Sequence, residues 1–197
     1  MPQIDWSIPQ PAKGIRGAVE RLTGPGATGA ELVLQFSSAA AGALTAGYWF
    51  ARAGDGAAWQ VLLAAVLGFD IAGGVVTNAT SSAKRWYHRG GLHFAHHLGF
   101  VLVHLLHLAA VAYLILPGST HYFITGAVLL VSAATVILRV PRYLQRPVAL
   151  ALYALIVAIS PQLLPDPAGM EWFIPLFFLK LLVSHLVVEE PYRPEND

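Results

Sequence analysis

Six apolar runs divide the chain, near residues 30–51, 57–79, 93–116, 120–139, 145–164 and 169–188. Each is about twenty residues long, the length an α-helix needs to cross a bilayer. The separators carry turn and breaker chemistry: Arg52-Ala53-Gly54-Asp55-Gly56, Pro117-Gly118, Pro141, and Pro161 through Pro167. The pattern predicts an all-α integral membrane protein of six transmembrane helices, with no separate soluble domain and no internal repeat. Residues 1–29 form an N-terminal interfacial segment, 30–190 the six-helix domain and 191–197 a cytoplasmic tail. Within the first segment, Ile15, Ala18, Val19 and Leu22 share one helical face, while Lys13, Arg16, Glu20 and Arg21 lie mostly around the other. That is the pattern of a short helix on a membrane surface, ended by Thr23-Gly24-Pro25-Gly26. A disordered basic tail is the alternative.

Composition agrees with this reading. The 197 residues are 56% hydrophobic and 12% charged, with a mean hydropathy of +0.58, whereas a soluble domain carries about 25% charged residues. A net charge of +1 without a basic, aromatic-interleaved patch gives no reason to expect nucleic acid as a partner. There is no cysteine, so thiolate metal sites, disulfides and CxxC redox chemistry are excluded and any metal must be held by nitrogen and oxygen. Met1 to Gln10 lack a basic stretch followed by an apolar one, so no cleaved signal peptide is expected. The expected location is a bacterial inner (plasma) membrane.

Loop charge predicts orientation. Lys13, Arg16 and Arg21 precede the first span, Lys84, Arg85 and Arg89 follow the second, and Arg139, Arg142 and Arg146 surround the fourth-to-fifth connection. The other loops carry only Arg52 with Asp55, and then Asp166 and Glu171. The positive-inside rule places both termini in the cytoplasm.

Six of the eight histidines then fall between His88 and His107. At about 100° per residue, His93, His96, His97, His104 and His107 form one stripe roughly 100° wide on the third span. An imidazole edge of this kind does not face lipid. Glu31 and Gln35, Thr77 and Asn78, and His185 with Glu189 and Glu190 fall at the same predicted depth on other spans. Deeper in the membrane lie Asp70 and Lys180, either paired with each other or with Asp70 turned to the histidine edge. Gly73, Gly74, Thr77 and Ser81 share the Asp70 face, which predicts close packing of the second span against the third.

Histidines four apart on a helix, such as His93 and His97, can reach one metal ion, and His88 can complete the set. His185 and Glu189 repeat that spacing. The expected metal ligands are His88, His93, His96, His97, His185 and Glu189, holding iron or, second, zinc. Asp70 and Asn78 are expected to serve catalysis or substrate, with Lys180 and Arg89 supplying positive charge. His88-x4-His93-x2-His96-His97 resembles the histidine boxes of membrane di-iron hydroxylases and desaturases over about ten residues. Those families spread their boxes over several cytoplasmic segments, whereas here they are fused. The resemblance implies an oxidoreductase acting on a lipid or other membrane-dissolved substrate, fed by an electron-donor protein. Asp70 with His93-x3-His97 resembles, more weakly, membrane zinc hydrolases of lipid amides.

Three other readings stay open. A b-type haem would use His104 or His107 with His185 or with a partner chain in a homo-oligomer. A histidine and carboxylate chain would suit proton or divalent-cation passage. Imidazoles can also simply hydrogen-bond between helices, at about 1 kcal/mol each. Plainer readings suffice for the Asn78-Ala79-Thr80 sequon, for His121 and for Trp49, Trp59 and Trp172 at the interfaces. Lys84 through Arg89 reads as a cationic interfacial anchor, with recognition of an anionic head group as its functional alternative.

Overall fold

The computed structural model describes residues 3–54 and 56–193, so Asp55 and the last four positions of the expected tail lie outside the described residues. In chain order the elements are β1 (Gln3–Ile4), α1 (Gly14–Thr23), α2 (Gly29–Ala53), α3 (Ala58–Thr77), α4 (Ser81–Tyr87), α5 (Phe94–Ile115), α6 (Thr120–Arg139), α7 (Arg142–Leu163), α8 (Phe173–His185) and β2 (Tyr192–Arg193). The protein is mostly helical, and α3, α5, α6 and α7 are each long and apolar enough to cross a membrane. Helix α2 is as long but more polar, with Glu31, Gln35, Ser37 and Ser38 in its first half.

The shortest of the apolar helices is the one at the centre. Phe173, Ile174, Phe177, Phe178, Leu181 and Leu182 of α8 have no exposed surface, while Pro175, Leu176, Leu179 and Val183 form a partly exposed stripe, so most of this largely apolar helix is packed. Helices α3, α6 and α7 all pack against it. Its second half departs from α geometry: Leu179–His185 is a π-helix, with Leu186 N–H donating to Leu181 C=O at 3.1 Å. Residues five apart lie about 140° apart on an α-helix, but i→i+5 bonding brings them nearly into line. Lys180 and His185 are such a pair, and both turn toward α3.

The expected packing of the second span on the third is corrected. Helix α3 lies along α2, with Gly42 and Ala46 meeting Gly68, and Ala39 meeting Gly73, so closely that a side chain at any of these glycines would collide with its neighbour. Small residues on both helices permit that approach. Gly73 belongs to this seam, whereas Gly74 faces the Lys180 side chain. Helix α5 reaches α3 through side chains.

A helix forms over Gly14–Thr23 and leads into α2 through a capping box, in which Thr28 accepts from Glu31 N–H and the Glu31 carboxylate accepts from Thr28 N–H. The chain ends meet: Gln3 pairs with Arg193 and Ile4 with Tyr192, and Asp5 forms a 2.8 Å ion pair with Arg193. Within the expected tail, Tyr192–Arg193 therefore form a short strand.

Candidate functional site: two buried polar sets along one helix

Three imidazoles from three segments gather near the end of α8. His88 follows α4, where the chain leaves the helix with its N–H still bonded to Lys84 C=O. His97 is on the first turn of α5, and His185 closes α8. Ring centroids are 4.8 Å apart for His88 and His97, 5.8 Å for His97 and His185, and 6.0 Å for His88 and His185. Phe100 stacks on His185 at 3.7 Å and closes the inner side. Only 2% of His185 is exposed.

Hydrogen-bond partners bear on which nitrogens carry protons. His88 Nε2 lies 2.8 Å from the His185 carbonyl, which can only accept, so Nε2 is protonated and Nδ1 holds a lone pair. His185 Nδ1 lies 3.4 Å from Asn78 Oδ1, and with the amide oxygen in that position Nδ1 carries the proton and Nε2 the lone pair. His88 Nδ1 and His185 Nε2 are both buried without a hydrogen-bond partner. Burial, reinforced by the Lys84 ammonium, pushes the His88 proton affinity down to about 3, so this ring stays neutral at ordinary pH. Neutral imidazoles with the second nitrogen held by an acceptor are the usual form of a metal ligand. Among the described residues no three His, Asp or Glu groups already stand in a metal-binding arrangement. His88 and His97 are stacked with planes 21° apart, and because a ligand binds in the plane of each ring, that stack must open for the donors to converge.

The second set lies deeper along α8 and is charged. Asp70 Oδ2 accepts from both Lys180 Nζ and His107 Nε2, the latter at 2.8 Å. The sequence offered Lys180 and the histidine edge as alternatives for Asp70; the structure gives it both. Lys180 is only 2% exposed and its side chain passes directly over Gly74. His104 stacks on His107 at 5.1 Å and its Nδ1 donates to Phe100 C=O at 2.7 Å.

The remaining expected residues separate clearly. His93 and His96 are exposed at the start of α5, 6.2 Å apart by ring centroid and bonded to each other through His93 N–H and His96 Nδ1. They do not join the His88 group. Glu189 lies 3.9 Å from Lys84 and 3.7 Å from Arg146, so its carboxylate is taken up by cations. His185 stands with His88 and His97 and is not set opposite His104 or His107, as an axial haem pair would require. Gln35 donates to Thr23 C=O and accepts from Thr77, and Glu31 also accepts from Ser82 N–H at 3.0 Å; Gln35 thus joins α2 to α1 and α3, and Glu31 joins α2 to α4.

Lys84 is the residue that sequence reasoning missed. It was grouped with the interfacial cations, yet it is 2% exposed and its ammonium donates to Ser184 and Val187 C=O at 2.7 and 2.6 Å. These are carbonyls that the end of α8 leaves unpaired. Burial lowers its proton affinity to about 8, with Glu189 opposing the shift. Its spacing of four from His88 places both on one side of α4, and no other signal in the sequence marks it.

Comparison of this chain with protein families, curated proteins and solved structures finds no match, so function is argued from the site itself.

Proposed function

We propose that the protein is a membrane metalloenzyme whose metal is held by His88, His97 and His185, and that it acts as an oxidoreductase on a lipid-like molecule. The observation that carries this reading is the pair of buried, unpartnered lone pairs on His88 Nδ1 and His185 Nε2 within one cluster of three neutral rings. A buried polar atom left without a partner costs about 1–3 kcal/mol, and two such atoms beside a third imidazole fit a nitrogen donor set. Iron held there would supply redox chemistry, and zinc would supply Lewis acidity instead. With His93 and His96 outside the cluster, three nitrogens serve one ion rather than two.

The protein's own groups have separate tasks. Asn78 and the His185 carbonyl fix the ring orientations. Lys84 holds the end of α8, and with it His185, against α4. Phe100 screens the inner side of the cluster. The rim outside His88 and His97 is a cleft of about 300 Å³ that also carries Arg89 and Arg142, a cationic surface suited to an acidic electron-donor protein.

We further propose six crossings with both termini cytoplasmic. The antiparallel pairing of Gln3–Ile4 with Tyr192–Arg193 brings the first and last described segments together, which supports an even number of crossings. Lys84, Arg85, Arg89, Arg142 and Arg146 cluster at that end, as the positive-inside rule requires.

Elemental analysis with an absorption spectrum of the purified protein tests the reading. Near-stoichiometric iron or zinc is expected, retained in His93→Ala and His96→Ala and lost in His88→Ala and His185→Ala. An intense Soret band, or metal retained in both His88→Ala and His185→Ala, contradicts it.

A further inference from the structure

A cavity of about 380 Å³ lies between α1, α2, α3 and α5, beside but separate from the three imidazoles. Its volume is at the low end of the range for small-molecule pockets, roughly 300–1,000 Å³. The walls are largely apolar, and Phe36 and Phe69, each about half exposed at 48% and 46%, stand on its outer flank. Polar groups collect on the inner wall, where Lys180, Asp70, His104 and Asn78 line it.

Two of these groups are unlike in a way that specifies a ligand. The Lys180 ammonium gives one proton to Asp70 and keeps others to donate. His104 gives its Nδ1 proton to Phe100 C=O, so its Nε2 holds a lone pair and can only accept. A hydrocarbon chain would leave both unmet. A cation would meet the Lys180 charge, and an anion would meet the Asp70 carboxylate and the His104 lone pair. A hydroxyl satisfies both, accepting from Lys180 and donating to His104.

We infer that this cavity binds a membrane-dissolved molecule with a hydroxyl head, placed by His104 and Lys180 with its tail passing out beside Phe36 and Phe69. The inference names the ligand class of the proposed enzyme and rests on that reading for its catalytic meaning, since Phe100, which lines the cavity and stacks on His185, stands between this ligand and the imidazoles; the binding itself needs no metal. Gly74 belongs to the site, because a side chain there would push Lys180 off the inner wall.

The test uses chelator-stripped full-length protein in nanodiscs, so metal content and ligand binding fail independently. Three probes are titrated: decylubiquinol, with a ring hydroxyl; dioctanoylglycerol, with an alkyl hydroxyl; and the methyl ether of dioctanoylglycerol, which has no proton to donate. Saturable one-to-one binding of a hydroxyl probe is expected, and the probe that binds tells whether the head is phenolic or aliphatic. His104→Leu should weaken that binding about tenfold, the scale of one buried hydrogen bond left unmade. The ether should bind wild-type protein about tenfold more weakly than its parent alcohol, a readout that survives if the variant fails to fold. Equal binding of ether and alcohol, or no saturable binding of either hydroxyl probe, overturns the inference.

Discussion

Two buried polar sets share the second half of α8 and differ in how their charges are met. Around Asp70 every charge is answered: one carboxylate oxygen accepts from Lys180 and from His107, and three helices are joined by the exchange, although His107 Nδ1 is itself buried without a partner. Around His185 there is no carboxylate among the three rings, and two ring nitrogens are left bare. Partnered charges hold a fold together, since removing one member strands the others in a medium that cannot solvate them. Bare neutral nitrogens do nothing comparable for stability and are the form in which imidazole meets a metal. The deeper set therefore reads as structural and substrate-facing, and the outer set as the reactive one.

The largest expected effect comes from breaking the charged set. Asp70→Ala leaves Lys180 buried and unpaired and should cost about 3–5 kcal/mol, measured by thermal unfolding in detergent. Asp70→Leu combined with Lys180→Met should recover most of that loss, which an uncoupled pair would not show. In the outer set, His185→Phe should cost less than about 1.5 kcal/mol, because the ring already stacks on Phe100 and makes only one long hydrogen bond. The same variant should lose its metal, and a large stability loss with metal retained would reverse the roles assigned to the two sets.

Gly74→Ala sharpens the comparison more gently. Its methyl group meets the Lys180 side chain, and overpacking of that kind costs about 1–3 kcal/mol. Metal content should not change, because Gly74 touches only the deeper set.

The smallest effect is a control at the other end of the bundle. Asp166, in the loop before α8, accepts from the Tyr122 hydroxyl at 2.7 Å, and burial raises its proton affinity from 3.8 to about 6. The folded state thus favours its protonated form. The stabilisation is fully present below about 4 and is lost as pH rises through about 6. Asp166→Asn should flatten that slope in melts between pH 4 and 7, while leaving both inner sets untouched.

Much of this arrangement was legible in the chain. The apolar runs and breakers placed the helices, and the imidazole stripe identified α5 as the element carrying polar groups inward. His107 and His104 do meet the interior, and Asp70 and Lys180 do meet each other. The grouping of the three imidazoles was not legible, because it depends on backbone geometry that no periodicity shows. On a regular helix His185 and Lys180 would point well apart, and the π-helical turn lines them up. His93 precedes α5 rather than lying within it, so the His93 and His97 spacing never becomes a shared helical face. Gly42, Ala46, Gly68 and Gly73 form a seam between α2 and α3, and without a partner helix in view Gly73 was grouped with the Asp70 face. Lys84 looked like a solvated anchor because burial of its ammonium is provided by carbonyls of Ser184 and Val187, about a hundred residues later in the chain.

X-ray absorption at the metal edge of the purified protein tests the central claim most directly, since it counts the atoms bound to the ion. The account predicts three imidazole nitrogens at about 2.0–2.1 Å from the ion if the metal is zinc, and loss of the metal edge itself in His185→Phe. A coordination shell dominated by oxygen, or a spectrum unchanged by that substitution, would contradict it.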